Sequence, residues 1–406
     1  MSRLRVYLGE TAVAEVWRDG RDRFGLQLLR SYLDQPSRPV LGQWFEDRLE
    51  RRHASGRALH PWFTNLLPEP ETAMRRLVAR AAGLAPSDTV GLLRTLGEQL
   101  PGKVVVRASA EGPPLPRLHV GDPAEEIPPG LRGSLGGVQL KLTLSGEDHL
   151  ILGVRDEAFQ WILKLAAQYP KLPFNESAIM SWCAATGFDV PEHRVVHRDE
   201  LPDLGDVSTE LQHGFLIRRY DRTATGRIHQ EDFAQVFNCE PASKYSRTDS
   251  AGLGSMIGQV LGVDGIREFI RRLTVVVATG NADAHLKNWS LLYQDPQRPR
   301  LAPLYDQVAT IEFPSLDQRL AMRIGHAQHL HQVSMAHFDA MAERWSRRAR
   351  PFDDWAKVEV QPLVERTLVQ MRGAFRPEFL GMQPALATRL REHWRSVPLL
   401  RPFLLP

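Results

Sequence analysis

The densest set of reactive side chains in this sequence is the run Gly280-Asn281-Ala282-Asp283-Ala284-His285-Leu286-Lys287-Asn288. It lies between two apolar segments, Leu273 to Ala278 and Trp289 to Leu292. Asp283 and Asn288 have D-x-x-x-x-N spacing, which in phosphoryl-transfer loops lets both side chains converge on one site. Asp283 is the candidate acceptor of a hydroxyl proton, and Asn288 offers magnesium an amide oxygen, a hard ligand for a hard ion. Lys287 would add charge beside a transferring phosphate. His285 completes a D-x-H-x-x-N set and is a candidate nucleotide contact. A polar surface loop is the bland alternative, but so many functional groups between apolar segments weigh against it.

Phosphoryl transfer from ATP needs three further parts: a cover for the phosphates, a cation and a second magnesium ligand. Gly133-Ser134-Leu135-Gly136-Gly137 is the candidate cover, since backbone N–H groups there approach phosphates without side-chain obstruction. Alone, such a run is most often just a turn. Ser134, Gly136, Gly137 and the following Gln139 are the expected nucleotide contacts. Lys164, closing the apolar Trp161-Ile162-Leu163, is the candidate cation. Glu176 follows in the first turn of a helix that Asn175 would begin. It either pairs with Lys164 or is an N-terminal acid favoured by the helix dipole. Asp306, at the end of Leu301-Ala302-Pro303-Leu304-Tyr305, stands where the second magnesium ligand belongs. By itself it would read as a turn or cap residue. The tripeptide His197-Arg198-Asp199 imitates a catalytic loop, but Leu204 occupies the position that needs asparagine, so it reads as a surface turn.

These residues need elements to position them. Leu4, Val6 and Leu8 alternate with polar neighbours, a Gly9-Glu10 turn follows, and Ala12, Ala14 and Val16 alternate again, predicting two strands. Met74, Leu77, Val78 and Ala81 share one helical face up to Gly83. Ser87 is placed to cap a second helix carrying Val90, Leu93 and Leu96. Six prolines between Gly112 and Gly130 predict a linker or surface crossing. Val138, Leu140, Leu142 and Leu144 predict a strand. The last 75 residues carry helical spacing, with Met335, Phe338, Ala342, Trp345 and Ala349, then Val364, Leu368 and Met371. A small β-rich lobe before a helical one suits a kinase, and suits other folds as well.

Composition narrows the class. At 406 residues the chain needs two or more packed units. Hydrophobic residues make up 43% and charged residues 24%, ordinary for a globular protein. No apolar run approaches the length of a membrane span, and the N-terminus carries no apolar signal core, so a cytoplasmic location is expected. Cys183 and Cys239 are the only cysteines, too few for a disulfide framework or a four-ligand zinc site. A net charge of +3 gives little reason to expect nucleic acid as a substrate.

Five segments together resemble the HipA kinases, the toxins of bacterial type II toxin–antitoxin pairs. They are S-L-G-G-V-Q-L-K from Ser134, W-I-L-K-L ending at Leu165, N-E-S-A-I-M-S-W-C from Asn175, I-R-R-Y-D-R with G-R-I-H-Q-E-D-F between Ile217 and Phe233, and G-N-A-D-A-H-L-K-N with the later L-Y-D. The N-terminal V-Y-L-G-E and the Trp62 to Glu69 segment resemble the family's N-terminal subdomain. The resemblance implies an α+β, two-lobed protein-kinase-like fold with a β-rich N-terminal subdomain and a helical C-terminal lobe. The expected divisions are 1–110 for the subdomain, 111–130 for the proline-rich linker, 131–222 for the nucleotide-binding lobe and 223–406 for the helical lobe.

It also implies ATP and Mg2+ as cofactors, transfer to a serine of a cytoplasmic protein, with an aminoacyl-tRNA synthetase as the candidate target, and autophosphorylation at Ser134. Phosphate there would put negative charge inside a phosphate cradle and repel ATP. The implied partner is a helix-turn-helix antitoxin of the HipB type, with DNA reached only through it and no membrane contact. Backbone contacts to adenine are expected near Arg219 and Tyr220, and Arg218 stands where some relatives carry an acid. Gln230, Glu231 and Asp232 match a family motif without a derivable role. Two other readings compete. One is a nucleotide-sensing, non-catalytic corepressor of a DNA-bound antitoxin, against which the complete set Lys164, Asp283, Asn288 and Asp306 argues. The other is a phosphoinositide-kinase-like enzyme, for which the basic segment Arg344 to Arg350 reads more simply as a solvated helix face.

Overall fold

The computed structural model describes residues 2–49, 53–109, 140–145, 151–152, 160–166, 168–201, 212–348 and 353–406. The expectations for the 111–130 crossing and for Ser134, Gly136, Gly137 and Gln139 fall outside the described residues.

The first unit is an antiparallel sheet of β1 (Ser2–Leu8), β2 (Thr11–Arg18), β3 (Phe24–Leu28), β4 (His53–Gly56) and β5 (Val104–Ala108), in the order β4-β3-β2-β1-β5. Gly9 makes the expected first turn with φ 60° and donates its N–H to Lys103 O at 3.0 Å. The strict alternation expected of β2 is not kept: Val13, Ala14, Glu15 and Val16 are all buried, since the β1–β2 register shifts at Val13 and Arg3 and Arg5 pair with the Glu15 carboxylate. Helix Ala73–Ala81 is capped by Thr72 and followed by Gly83 at φ 65°. The next helix, Thr89–Thr95, is capped by Asp88, whose carboxylate accepts Gly91 N–H at 3.0 Å, rather than by Ser87. Val6, Val16, Trp62, Phe63, Leu92 and Leu93 are among the residues of a core belonging to this unit alone.

A second antiparallel sheet holds β6 (Leu140–Ser145), β7 (Ile151–Leu152), β8 (Trp161–Leu165), β9 (His193–His197) and β10 (His213–Arg218), ordered β7-β6-β8-β10-β9. Helix Leu172–Ala185 packs on β9 and β10. It starts three residues before the expected Asn175, because Pro173 in its first turn has the φ a helix needs and lacks only an N–H that would be unpaired there. The decoy His197-Arg198-Asp199 lies at the surface, with His197 ending β9 and Arg198 and the exposed Asp199 opening the turn that follows.

The third unit is mostly helical. Its backbone is the helix Ser250–Thr279, interrupted at Gly262 where φ is 68° and ψ −153°. Helices Met335–Arg348, Val360–Ala374 and Pro384–Ser396 complete it. Three buried tryptophans tie these helices to one another and to the helix Leu172–Ala185 through their indole N–H groups: Trp182 to Met371 O at 2.9 Å, Trp345 to Ala251 O at 2.8 Å, and Trp394 to Ala278 O at 2.7 Å. In the basic segment, Trp345 is core, while Arg344 pairs with Asp249 and Arg347 with Glu343. No described helix is long and apolar enough to cross a membrane.

Candidate active site

The long helix ends at Gly280, whose φ of 71° turns the chain into the Asp283 loop. A Cβ at this position would sit 2.6 Å from Ile311 Cδ1, so glycine is required both for the turn and for the close approach. The loop then braces itself. Asn281 Oδ1 accepts Asp283 N–H at 3.0 Å, and Asn288 Oδ1 accepts His285 N–H at 3.0 Å. The following strand, Ser290–Tyr293, pairs with His229–Asp232 on one side and Arg300–Leu301 on the other. That small sheet carries the chain back to Asp306.

The register of β8 between β6 and β10 sets Lys164 opposite Lys141 and Phe215. Its ammonium binds both Glu176 and Asp306. Lys164 and Glu176 are buried. Burial alone would lower the lysine's pKa, but the charges of Asp306 and Glu176 outweigh that and raise it, so the ammonium stays charged. Glu176 lies beyond the first turn of its helix, so the dipole reading is set aside and pairing with Lys164 is what the structure shows. Asn175 is not a cap either. Its side-chain amide donates to Ala309 O at 3.2 Å and to Glu312 Oε2 at 2.6 Å, while its oxygen accepts Ala309 N–H at 2.9 Å. The helix bearing Glu176 is thereby fastened to the segment just after Asp306.

Asp306 adopts φ 54°, unusual for a residue with a side chain, and this turns its carboxylate toward both neighbours. One oxygen meets Lys164, and the other accepts the Asn288 side-chain N–H at 3.0 Å. Asp283 stands beside them, its Oδ1 accepting the Tyr245 hydroxyl at 3.0 Å. Burial pushes its pKa up to about 6, with the Tyr245 hydrogen bond and Lys244 pulling it down. A carboxylate poised just below neutrality is suited to general-base work. His285 is buried and held neutral, its pKa lowered mainly by desolvation, and its ring stands edge-on to Tyr245 with centroids 5.2 Å apart. Lys287 donates to Asn65 O at 3.2 Å and lies 3.9 Å from Asp232.

Magnesium carried by nucleotide phosphates needs only one or two protein oxygens. Asp306 and Asn288 supply that donor chemistry. Asn288 Oδ1 has one lone pair on His285 N–H and a second for a metal, so the pair fits the ion. Among the described residues no larger cluster of His, Cys, Asp and Glu forms a metal site.

Just after β10 lie Arg219 and Tyr220, where backbone contacts to adenine are expected. Arg219 backbone N–H donates to Gln160 O at 2.6 Å, and its guanidinium Nε and Nη2 grip Asp221 at 2.9 and 2.8 Å. Tyr220 packs on Tyr305, with ring centroids 5.3 Å apart, and its hydroxyl donates to Gln230.

That hydrogen bond accounts for the first residue of the Gln230-Glu231-Asp232 motif. Glu231 is buried and joins the subdomains: its Oε1 accepts Gln43 N–H at 2.8 Å and the Tyr293 hydroxyl at 2.6 Å, and its Oε2 accepts the Trp62 indole N–H at 3.0 Å. Asp232 caps the short helix Phe233–Val236 in a reciprocal exchange with Gln235. Sequence reasoning also missed Glu69, whose carboxylate accepts Lys244 Nζ at 2.8 and 2.9 Å. The motif from Trp62 to Glu69 was the available signal, but nothing local said what it would touch.

A model of the HipA-like C-terminal domain matches residues 133–373, and one of the HipA N-terminal domain matches residues 4–107. The chain belongs to the HipA family. Among its relatives, "Putative kinase Y4dM" of Sinorhizobium fredii is 36% identical over 358 residues, 84% of this chain and 85% of that one. Y4mE of the same organism, named in the same way, is 31% identical over 380 residues, 81% of this chain and 83% of its own. HipA from a Shewanella oneidensis toxin–antitoxin complex of HipA, HipB and operator DNA superposes with a TM-score of 0.76 at 20% identity, over 97% of each chain. The HipA fold, kinase-like and α+β, is therefore the fold of this protein.

Proposed function

We propose that this HipA-family protein is an ATP-dependent protein serine/threonine kinase, acting in the cytoplasm as the toxin of a toxin–antitoxin pair. The observation that carries the reading is the contact chain Glu176–Lys164–Asp306–Asn288, drawn from four separate places in the sequence, with Asp283 beside it. Lys164, held charged by two carboxylates, would bind the nucleotide phosphates, and Glu176 would fix its position. Asn288 and Asp306 would hold Mg2+, which neutralises charge on the phosphates. Asp283 would take the proton of the substrate serine at Oδ2, since Oδ1 is committed to Tyr245. Lys287 would steady the transferred group from the other side of the loop. His285, neutral, would face the nucleotide as a hydrogen-bonding group, and its buried Nδ1 is unpaired, consistent with a polar ligand.

Ser134 is the proposed site of autophosphorylation. A HipB-type helix-turn-helix antitoxin is the proposed partner, by analogy with the complex of the Shewanella protein. The substrate serine is assigned to a cytoplasmic protein, with aminoacyl-tRNA synthetases the first to be screened. The test is to incubate wild type and Asp283→Asn with magnesium-ATP and map phosphosites by mass spectrometry. Phosphate on Ser134 in wild type alone supports the kinase and the base together. No phosphate and no ATP consumption, from protein purified unphosphorylated, would move the reading to a nucleotide-sensing corepressor.

A further inference from the structure

The catalytic loop is held by more than its own lobe. Pro68 and Pro70 restrict the chain on either side of Glu69, and Thr72 donates its hydroxyl to Glu69 O at 2.8 Å and its N–H at 3.3 Å. Arg75 adds a bond to Pro68 O at 2.9 Å. The Glu69 carboxylate is thus presented from a fixed turn of the N-terminal subdomain to Lys244, whose side chain is only 3% exposed. The Lys244 ammonium stands 5.1 Å from the centroid of the Tyr245 ring, and Tyr245 donates to Asp283. Among the described residues nothing donates to Asp283 Oδ2. The same Glu69 carboxylate lies 4.0 Å from Lys287 Nζ, which also donates to Asn65 O in the same subdomain.

We propose that Glu69 is a positioning residue for phosphoryl transfer, acting on Asp283 through Lys244 and Tyr245 and on Lys287 directly. This rests on the kinase reading above. It makes the N-terminal subdomain part of the apparatus that aims the base, rather than only a platform beside it. A buried ammonium that loses its carboxylate must find another partner or rehydrate, and either response moves Tyr245 and the base with it. Displacement of a base by about 1 Å can lower turnover on the order of 100-fold.

A plain strut between subdomains would have the same contacts, so the test needs a readout that a strut does not move. The charged and titratable groups facing Asp283 are Tyr245, Lys244, Asp306 and Glu69. Tyr245→Phe removes a hydrogen bond that favours the carboxylate, and Lys244→Met removes a favourable positive charge. Both should move the acidic limb of kcat/KM upward from the position near pH 6 expected of wild type. Glu69→Gln removes a negative neighbour and should move the limb downward while lowering kcat about 10- to 100-fold. Nucleotide affinity, measured by calorimetry, should not change in any of the three.

Full-length wild type, these variants and Asp283→Asn would be compared for initial rates of phosphate transfer across pH, with circular dichroism to verify folding. If Glu69→Gln does not fold, Tyr245→Phe, which keeps the packed ring, decides the matter. Wild-type turnover with all folded variants sharing its rate and pH limb overturns the positioning role and leaves the kinase standing. Absence of turnover in wild type itself overturns both.

Discussion

Among the described residues, Glu176 and Glu231 are both almost wholly withdrawn from water, and they are treated in opposite ways. Glu176 meets a cation, Lys164, which also holds Asp306. Glu231 meets only neutral donors: a backbone N–H, a phenol and an indole. Burial therefore pushes the Glu231 pKa up to about 7, its three hydrogen bonds pulling the other way. The first arrangement keeps charges available to a ligand; the second seals a seam between subdomains. Burial of a carboxylate thus does not by itself mark catalysis. The partner does.

The comparison can be broken most sharply at the paired glutamate. Glu176→Gln should lower the rate of phosphate transfer on the order of 100-fold, because Lys164 keeps one anchor, Asp306, but loses its fixed position. Steady-state kinetics would check it, and an unchanged rate would reduce the Glu176–Lys164 pair to architecture. At the seam, Glu231→Gln should leave the chemistry largely intact but lower unfolding free energy by about 1–3 kcal/mol near pH 5, where the wild-type carboxyl is protonated in the fold, with the deficit shrinking as pH rises and the wild type ionises. Its amide N–H₂ would face another donor, whether the Trp62 indole or the Gln43 and Tyr293 pair. Urea denaturation measures this.

The pH dependence has a definite sign. The folded Glu231 pKa is raised from the ordinary 4.5 to about 7, so between those values the folded state holds a proton that the unfolded chain has released. Stability from this group is full below about pH 4.5, falls as pH rises toward 7 by on the order of 3 kcal/mol, and is flat above. Glu231→Gln should erase that slope. A gentler perturbation separates the regions further: Phe379→Ser, at a side chain 89% exposed and far from either carboxylate in the chain, should change stability by less than about 0.5 kcal/mol.

How legible this was follows from distance along the chain. The Asp283–Asn288 loop could be found because both groups sit on one short segment whose spacing has a chemical reason. Lys164 and Asp306 could be found because each closes an apolar strand-like run. Glu176 was identified, but its place in the helix was not, since an asparagine invites a capping interpretation and Pro173 quietly extends the helix backward. Lys244 meets Glu69, and Glu231 meets Trp62 and Gln43, across more than 160 residues. No local period or spacing carries such contacts. They depend on how one core docks on another, which sequence patterns constrain only weakly. The fold class was easier, since β-rich and helical stretches are separated along the chain.

The two-way amide grip of Asn175 on Ala309 has a consequence for how the site opens. It copies the exchange of N–H and C=O that joins neighbouring strands, but with a side chain standing in for one backbone. The helix of Glu176 and the stretch behind Asp306 therefore form one rigid body, so the swinging of a glutamate-bearing helix away from its lysine is not an independent motion here. Amide hydrogen exchange at Ala309 should keep pace with exchange in the helix Leu172–Ala185, as parts of a single cooperative unit.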